Sequence, residues 1–475
     1  MTEISTKKIA KSGIWMTISF VLVRLLQLGT QVILARFLSP QEFGLWGVVL
    51  IVTTLSNLFK EHSIAAVLVQ RGLDDNRQVN AVYSIGVNLS ILLGIIQSLL
   101  SYPLAIFFNA PQVMPLLACV SLGFLISAGT GIREAILQRQ MKFGNIARCD
   151  ISMAFARLVG TIGCAMLGGG VWAFVSGELC MVVVGAIGAR WLCPYPLRYS
   201  IIPDWDAIRE VRSYITSILS INLAVYFNTN ADNFVVGKLL GTRELGLYSV
   251  AYQLAMLPTF ALSQIHKVNA SVLSQSEPND QKRYLCHLLE IYAIVCSPTY
   301  GILFLSSSWI IPALYGAAWQ SAIGVFQIIL VAAYARGIMS ILGTFLNAID
   351  KPQINAVINW VLVPIAIPAF YVGTVWGGIT GVSIAALLTM GFIATAWFLI
   401  AVCWTTQWKI TVLLKPIFIP TLSAIFSILI MYGSITPIFW KILLFPIIYG
   451  ISISLFSIGR IPKKIYQLTQ KTYLQ

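Results

Sequence analysis

Charge is the scarcest property of this chain of 475 residues. Only 10% of them are Asp, Glu, Lys or Arg, against about 25% in soluble domains. With 58% hydrophobic residues besides, that scarcity excludes a water-soluble globular fold. Acidic groups are fewest, 17 against 31 Lys and Arg, which leaves few carboxylates for acid–base pairs. Histidine occurs only at 62, 266 and 287, and none of the three has metal-ligand spacing. The eight cysteines include no C-x-x-C, and most lie in or beside apolar runs, so they read as small buried hydrophobes. There is no Walker A motif, no H-E-x-x-H and no G-x-S-x-G, which excludes ATP hydrolysis and the commonest hydrolase chemistries. The longest polar stretches, 194–212 and 267–285, are loops. A membrane-bound glycan polymerase or transferase would want a large outside loop with a carboxylate pair, and none is present. The chain does not read as an enzyme.

What is abundant is apolar length. Windows of about 20 apolar residues, each long enough to cross a bilayer, recur at 13–36, 42–63, 79–101, 115–139, 145–167, 171–192, 213–236, 245–266, 286–309, 321–347, 354–373, 376–403, 410–433 and 437–459. These make fourteen expected spans. The net charge of +14 then reads as topology. With both ends inside, the inside segments hold 23 Lys and Arg and the outside loops only Arg36, Lys238, Arg243 and Lys441. That is a strong positive-inside bias, and it removes any need to invoke nucleic acid. The first run is interrupted by Arg24, Gln27 and Gln31 and lacks a cleavage pattern, so it is a span rather than a signal peptide. Residues 1–12 form a short interfacial segment.

One stretch occurs twice. ARFLSPQEFGLWGVVL at 35–50 returns 202 positions later as GKLLGTRELGLYSVAY at 237–252, with Leu38/Leu240, Glu42/Glu244, Gly44/Gly246, Leu45/Leu247 and Val48/Val250 identical. Further on, 136–150 aligns with 345–359 (Leu137/Leu346, Lys142/Lys351, Ala147/Ala356), and GVWAFV at 170–175 aligns weakly with GITGVS at 378–383. Spans 1–6 and 7–12 are therefore duplicated halves. An even span count per half makes the repeat parallel, about an axis along the membrane normal. The expected fold is an all-α polytopic membrane protein: two parallel six-helix lobes related by a pseudo-two-fold, plus a C-terminal helical hairpin. The expected domains are the interfacial segment 1–12, an N-lobe at 13–193, a cytoplasmic linker at 194–212, a C-lobe at 213–403, and the hairpin with its basic tail at 404–475.

Within these spans the ionisable groups stand out. Arg24, Arg157 and Arg336 lie near the middles of spans 1, 5 and 10, where lipid exposure would cost about 2.5–3.5 kcal/mol each. They must face protein or a wet cavity. One reading has them paired internally, with Glu178, Glu290 or backbone carbonyls; the other has them lining a substrate cavity. Arg133, beside Glu134 near a cytoplasmic end, can snorkel. Arg24, Gln27 and Gln31 share one helical face. At the repeat offset their counterparts are Tyr226, Thr229 and Asn233, a face extended by Asn222 and Asn230. A polar stripe in corresponding helices suits a shared central cavity, with helix–helix hydrogen bonding as the alternative. Asp232 is the only carboxylate of span 7. It is read either as a partner of Lys238 or Arg243 or as a proton or sodium site. A cationic cavity suits an anionic head group, because the guanidinium fork matches phosphate oxygens.

ARFLSPQEFGLWGVV, LQRQMKFGNIARCDI, GGGVWAFVSGEL and DNFVVGKLLGTRELGLYSVAYQLAMLP together resemble the polysaccharide-exporter branch of the multidrug/oligosaccharidyl-lipid/polysaccharide superfamily. The likeness covers at least residues 10–400 and is to Wzx-type flippases. It implies a bacterial inner-membrane transporter with both termini cytoplasmic and a central cavity worked by alternating access. The implied substrate is an undecaprenyl-diphosphate-linked oligosaccharide for surface polysaccharide, with polymerase or chain-length machinery as partners. No cofactor is implied beyond Na+ or H+ coupling. By the same resemblance Arg24 falls where a cationic cavity takes the diphosphate, and Asn355 and Asn359 in span 11 are candidate cation ligands, although uncharged. The alternatives are a peptidoglycan-precursor flippase and a cation-coupled drug antiporter; the antiporter would call for cavity carboxylates rather than arginines.

Overall fold

Lipid offers a peptide backbone no hydrogen-bond partner, so long apolar runs satisfy themselves as helices. The computed structural model describes residues 6–62, 68, 75–204, 212–275, 277–434 and 437–457, and all regular structure among them is helical. Residues 1–5 of the N-terminal segment, 205–211 of the linker and the basic tail from 458 lie outside the described residues.

The helices are α1 (Thr6–Phe37), α2 (Pro40–Asn57), α3 (Asn76–Phe107), α4 (Val113–Ile126), α5 (Thr130–Arg139), α6 (Phe143–Met166), α7 (Trp172–Leu192) and α8 (Arg212–Leu239). They continue as α9 (Thr242–Gln275), α10 (Pro278–Tyr315), α11 (Ala322–Ala348), α12 (Pro352–Ala386), α13 (Ala394–Thr406), α14 (Ile410–Gly433) and α15 (Ile438–Phe456). A π-turn at Leu58–His62 extends α2, and another at Leu387–Ile393 joins α12 to α13. Among the described residues ten segments are long and apolar enough to cross a membrane, and α4 with α5, bent by 46°, makes an eleventh. One of the ten, Pro352–Thr406, runs 55 residues. Its backbone breaks at Gly377 (φ −139°) and Gly378 (φ 55°, ψ −140°), which separates the two segments expected at 354–373 and 376–403. Helices α8 and α9, rich in amides and charges, are not among the ten but coincide with the expected segments 213–236 and 245–266.

The single span expected at 115–139 is two helices. Gly129 adopts φ 78° between α4 and α5, and a Cβ there would press on the ring of Tyr83. Only glycine makes that turn without strain.

By its contacts the chain divides into two units, Met1–Ser249 and Val250–Gln475, the division falling inside α9. In the first unit Trp46 of α2 stacks on Phe174 of α7, with centroids 5.2 Å apart. In the second, the α14–α15 hairpin packs on α10. The Ser297 hydroxyl donates to the Pro420 carbonyl (3.2 Å), and Tyr449 donates to the Ile294 carbonyl (3.2 Å). Phe445 fills the space left by the missing side chain of Gly301.

The duplication extends to backbone conformation. The turn into α2 carries Leu38 N–H to Leu34 O (2.8 Å) and Phe43 N–H to Ser39 O (3.2 Å); 202 positions on, Leu240 donates to Val236 (2.9 Å) and Leu245 to Gly241 (3.2 Å). Between α5 and α6, Met141 is left-handed (φ 58°) and Lys142 N–H reaches Leu137 O at 2.9 Å. Between α11 and α12, Asp350 takes φ 59° and Lys351 N–H reaches Leu346 O, also at 2.9 Å. Gly170 and Gly378 share φ 55°.

Candidate functional site

Helix α1 holds the first of the polar positions. Arg24 is half-buried, donates from Nη1 to Gln27 Oε1 (3.0 Å), and sits 5.4 Å from the centroid of the Phe20 ring. Phe20 lies one turn below it and Gln27 one turn above, and both help to orient the guanidinium. Gln31 is half-buried one turn further along.

The counterpart face on α8 is put to more varied use. Tyr226 is only 7% exposed, and its hydroxyl donates to the Ile51 carbonyl of α2 (2.6 Å); this side chain pins two helices together. Thr229 donates back to Val225 O (2.8 Å), and Asn230 donates to Tyr226 O (3.1 Å) and Thr229 Oγ1 (3.0 Å). Asn222, Thr229, Asn230 and Asn233 are half-buried. Asp232 is 2% exposed, accepting from the Tyr248 hydroxyl (2.8 Å) and the Asn233 backbone N–H (2.7 Å). The cations expected beside it make other contacts: Lys238 donates to the Phe107 carbonyl, and Arg243 pairs with Glu244 at 3.3 Å.

Arg157 takes one of the two roles open to it. Its Nη2 lies 3.3 Å from Glu178 Oε2, an ion pair joining α6 to α7. Glu178 lines a cavity of about 210 Å³ within the first unit, together with Lys60, Glu134 and Asp150. Lys60, only 7% exposed, donates to the Ser127 hydroxyl and lies 5.4 Å from the Phe124 ring centroid. Ser127 stands at the break between α4 and α5, and Lys60 on the π-turn that extends α2. Such interruptions are tolerated at membrane depth where they line a cavity. From the sequence Lys60 was counted only among the inside cations, although it lies within the span expected at 42–63.

In the second unit Arg336 donates to the Tyr252 hydroxyl (2.6 Å). Asn359 donates to Asn355 Oδ1 (2.9 Å), and Asn355 donates to Asn347 Oδ1 (3.1 Å). The three amides form a chain on α11 and α12. No group of three or more His, Cys, Asp or Glu with metal-binding geometry occurs among the described residues.

A second feature missed from sequence is a strap. Asn76, Asn80, Ser84 and Asn88 recur every four residues on one face of α3 and hold the chain after α7. Asn76 accepts from Tyr195 OH (3.1 Å), Asn80 from Arg198 N–H (2.9 Å), Ser84 from Ser200 N–H (3.0 Å) and Asn88 from Tyr199 OH (2.7 Å). An Arg77–Asp204 ion pair adds to them. The spacing was legible; the partner, an irregular segment more than a hundred residues on, was not.

Helices of this number, length and connection define a multi-span membrane protein of the fold shared by lipid-precursor flippases and multidrug exporters. The chain superposes on the lipid II flippase MurJ in an inward closed conformation with a TM-score of 0.74 and 15% identity, over 94% of this chain and 99% of that one. It superposes on an inward-facing multidrug-resistance MATE transporter of the MOP superfamily with a TM-score of 0.63, at 15% identity over 83% and 96%. At such identity the likeness concerns the fold alone. Sequence narrows it: a model of the polysaccharide biosynthesis protein family matches residues 33–324, and the chain belongs to that family. Relatives include the lipopolysaccharide biosynthesis protein WzxC of Escherichia coli K12, 25% identical over 386 residues (79% of this chain, 77% of WzxC). The teichuronic acid biosynthesis protein TuaB of Bacillus subtilis 168 is 21% identical over 351 residues, 72% of each chain. The succinoglycan biosynthesis transport protein ExoT of Rhizobium meliloti 1021 is 22% identical over 360 residues (75% and 72%).

Proposed function

We propose that this protein translocates a polyprenyl-diphosphate-linked oligosaccharide across the bacterial cytoplasmic membrane, outward, by alternating access. The observation that carries the reading is family membership spanning residues 33–324 of a chain with a transporter fold. Arg24 supports it: a guanidinium on a membrane helix, oriented by Phe20 and Gln27, is suited to a diphosphate. Gln27, Gln31, Asn222, Thr229, Asn230 and Asn233 offer amides and a hydroxyl to sugar. Arg157 reaches the substrate only if its pair with Glu178 opens, and Arg336 and Tyr226 act mainly by holding their helices. Two six-helix lobes at 13–193 and 213–403 would rock about the linker, with both termini cytoplasmic and the polyprenyl tail left in lipid beside the 404–475 hairpin. Polymerase and chain-length machinery would take the product.

The sequence contains no nucleotide-binding motif, so the driving force in this reading is the membrane potential or an ion gradient. Each negative charge moved outward through 100 mV gains about 2.3 kcal/mol. Asp232, Asn355 and Asn359 are the candidates for H+ or Na+ coupling, and no cofactor is required. A lipid II substrate has fold likeness behind it; surface polysaccharide has the family behind it, and we favour the latter. Deleting the gene should remove surface polymer and leave the lipid-linked oligosaccharide accumulated on the cytoplasmic leaflet, measured by glycan staining and lipid extraction. Loss of polymer without accumulation would move the protein to a different step.

A further inference from the structure

A second cavity of the first unit, about 320 Å³, opens where the chain turns at 168–170, on the side expected to face outside. The starts of three helices wall it: Glu42 in the first turn of α2, Gln112 just before α4, and Trp172 at the start of α7. Leu45 and Leu116, both buried, supply apolar lining. The volume is at the small end of ligand sites, about 300–1,000 Å³. It suits one or two sugar rings rather than an acyl chain.

The fold needs part of this arrangement. Glu42 Oε2 accepts from the Ser39 backbone N–H (2.8 Å) and hydroxyl (2.9 Å), closing the capping box of α2. The repeat keeps the acid as Glu244 and the turn glycine as Gly378, which shares φ 55° with Gly170. Other parts are not kept. Glu244 pairs with Arg243 at 3.3 Å, and Thr380 stands where the first copy has Trp172. Among the described residues Glu42 meets no cation, and its Oε1 makes no hydrogen bond. Oε1 faces Gly170, where an added Cβ would come within 2.8 Å of it. Trp172 is 41% exposed and its indole N–H has no acceptor among the described residues; the Gln112 amide is likewise uncommitted. An exposed tryptophan alone would serve an interfacial belt. Here a carboxylate oxygen, an amide and an indole are all left over around one cavity after the fold has been satisfied.

A pyranose matches that set. Its hydroxyls donate and accept, as a carboxylate oxygen and an amide require. Its C–H face is apolar and stacks on an indole, whose body is apolar and whose tip is polar. We propose that this cavity is a sugar subsite for a neutral pyranose, and that the sugar belongs to the exported head group, which rests on the export reading above. Glu42 accepts from a ring hydroxyl, Gln112 bridges neighbouring hydroxyls, and Trp172 covers the C–H face. The lone carboxylate also selects: an acidic sugar or a phosphate would bring a like charge against it. Sugar and diphosphate are thus read by different groups, the diphosphate by Arg24.

The test is binding to the purified full chain in detergent, followed by saturation-transfer NMR on the sugar. The probes are the methyl glycosides of glucose, galactose and N-acetylglucosamine, and glucuronate. Two more come from the strain itself: the oligosaccharide released by mild acid from its polyprenyl diphosphate, and its finished surface polymer. The proposal expects the released oligosaccharide and at least one methyl glycoside to bind, the single sugar with about millimolar affinity, and glucuronate not to. Trp172→Ala should weaken binding about tenfold, the worth of one aromatic stack, and Trp172→Phe by less. Gln112→Leu leaves the indole in place and should also weaken binding, which keeps the test open if Trp172→Ala fails to fold. No binding of the released oligosaccharide, equal binding of glucuronate, or unchanged binding in the variants would overturn the subsite. Binding of the polymer without the released oligosaccharide would contradict it too. Export is scored separately in cells. A protein that binds sugar through Trp172 but exports no glycan keeps the subsite and loses the export reading. One that exports glycan and binds none of the probes loses only the subsite.

Discussion

The two units bury polar groups among their helices by different means. The first holds charges: Arg157 against Glu178 at 3.3 Å, and Lys60, Glu134 and Asp150 around one cavity. The second holds mainly neutral hydroxyls. Tyr292 donates to Tyr334 O (2.8 Å), Tyr300 pairs with Thr259 (2.6 Å), Tyr334 with Thr421 (2.6 Å) and Ser297 with Tyr449 (3.2 Å). A charge at mid-membrane costs about 2.5–3.5 kcal/mol on insertion scales, whereas an interhelical hydroxyl bond is worth about 0.6 kcal/mol. Most of the helix contacts named in the second unit are made without charge, with Arg336 on the Tyr252 hydroxyl as the exception. The first unit gathers several charges around one cavity, and that clustering is what the following variants address.

That contrast breaks most readily at the ion pair. Glu178→Ala leaves Arg157 without its carboxylate and should cost about 2 kcal/mol, between the limits for exposed and fully buried pairs. Thermal unfolding in detergent and protein abundance in membranes should both fall. Replacing both residues by leucine should restore most of the abundance, as removal of a whole pair does, but not export. A double variant that exports normally per molecule would reduce the pair to a structural element.

Lys60→Met comes next. It keeps length and apolar bulk while removing the charge that meets Ser127 at the α4–α5 break. Export per molecule should drop about tenfold, equivalent to about 1.4 kcal/mol of lost stabilisation along the cycle, with abundance little changed. Unaltered export, measured on the same cells, would return Lys60 to the topology signal it was first read as. The smallest effects belong to the second unit. Tyr334→Phe and Tyr292→Phe should each lower stability by about 0.6 kcal/mol and leave export intact; a clear export defect would erase the contrast between the units.

Much of the fold was legible because membrane helices announce themselves by apolar length and because the chain repeats. Identities such as Lys142/Lys351 reappear as the same hydrogen bonds in the same turns. The break at Gly129 was hidden, since a left-handed glycine inside the run 115–139 looks like any small residue of an apolar helix. Candidate site residues were legible as types and faces but not as partners. The stripe on span 1 put Arg24 and Gln27 together, which they are. Nothing local could announce that Tyr226 would bond to Ile51, 175 positions away, or that Asp232 would accept from Tyr248. Nor could spacing show that Gly44 lies against the Thr242 carbonyl and Gly246 against the Pro40 carbonyl. Those are tertiary facts, set by which helix faces meet.

The central claim, a cationic site that takes a lipid-linked diphosphate, is tested most directly at Arg24. Surface glycan and protein level should be measured together in cells carrying Arg24→Ala and Arg24→Lys. The account predicts that Ala abolishes export at near-normal abundance, and that Lys, which restores the charge without the bidentate fork, recovers part of it. Wild-type export per molecule from Arg24→Ala would contradict it.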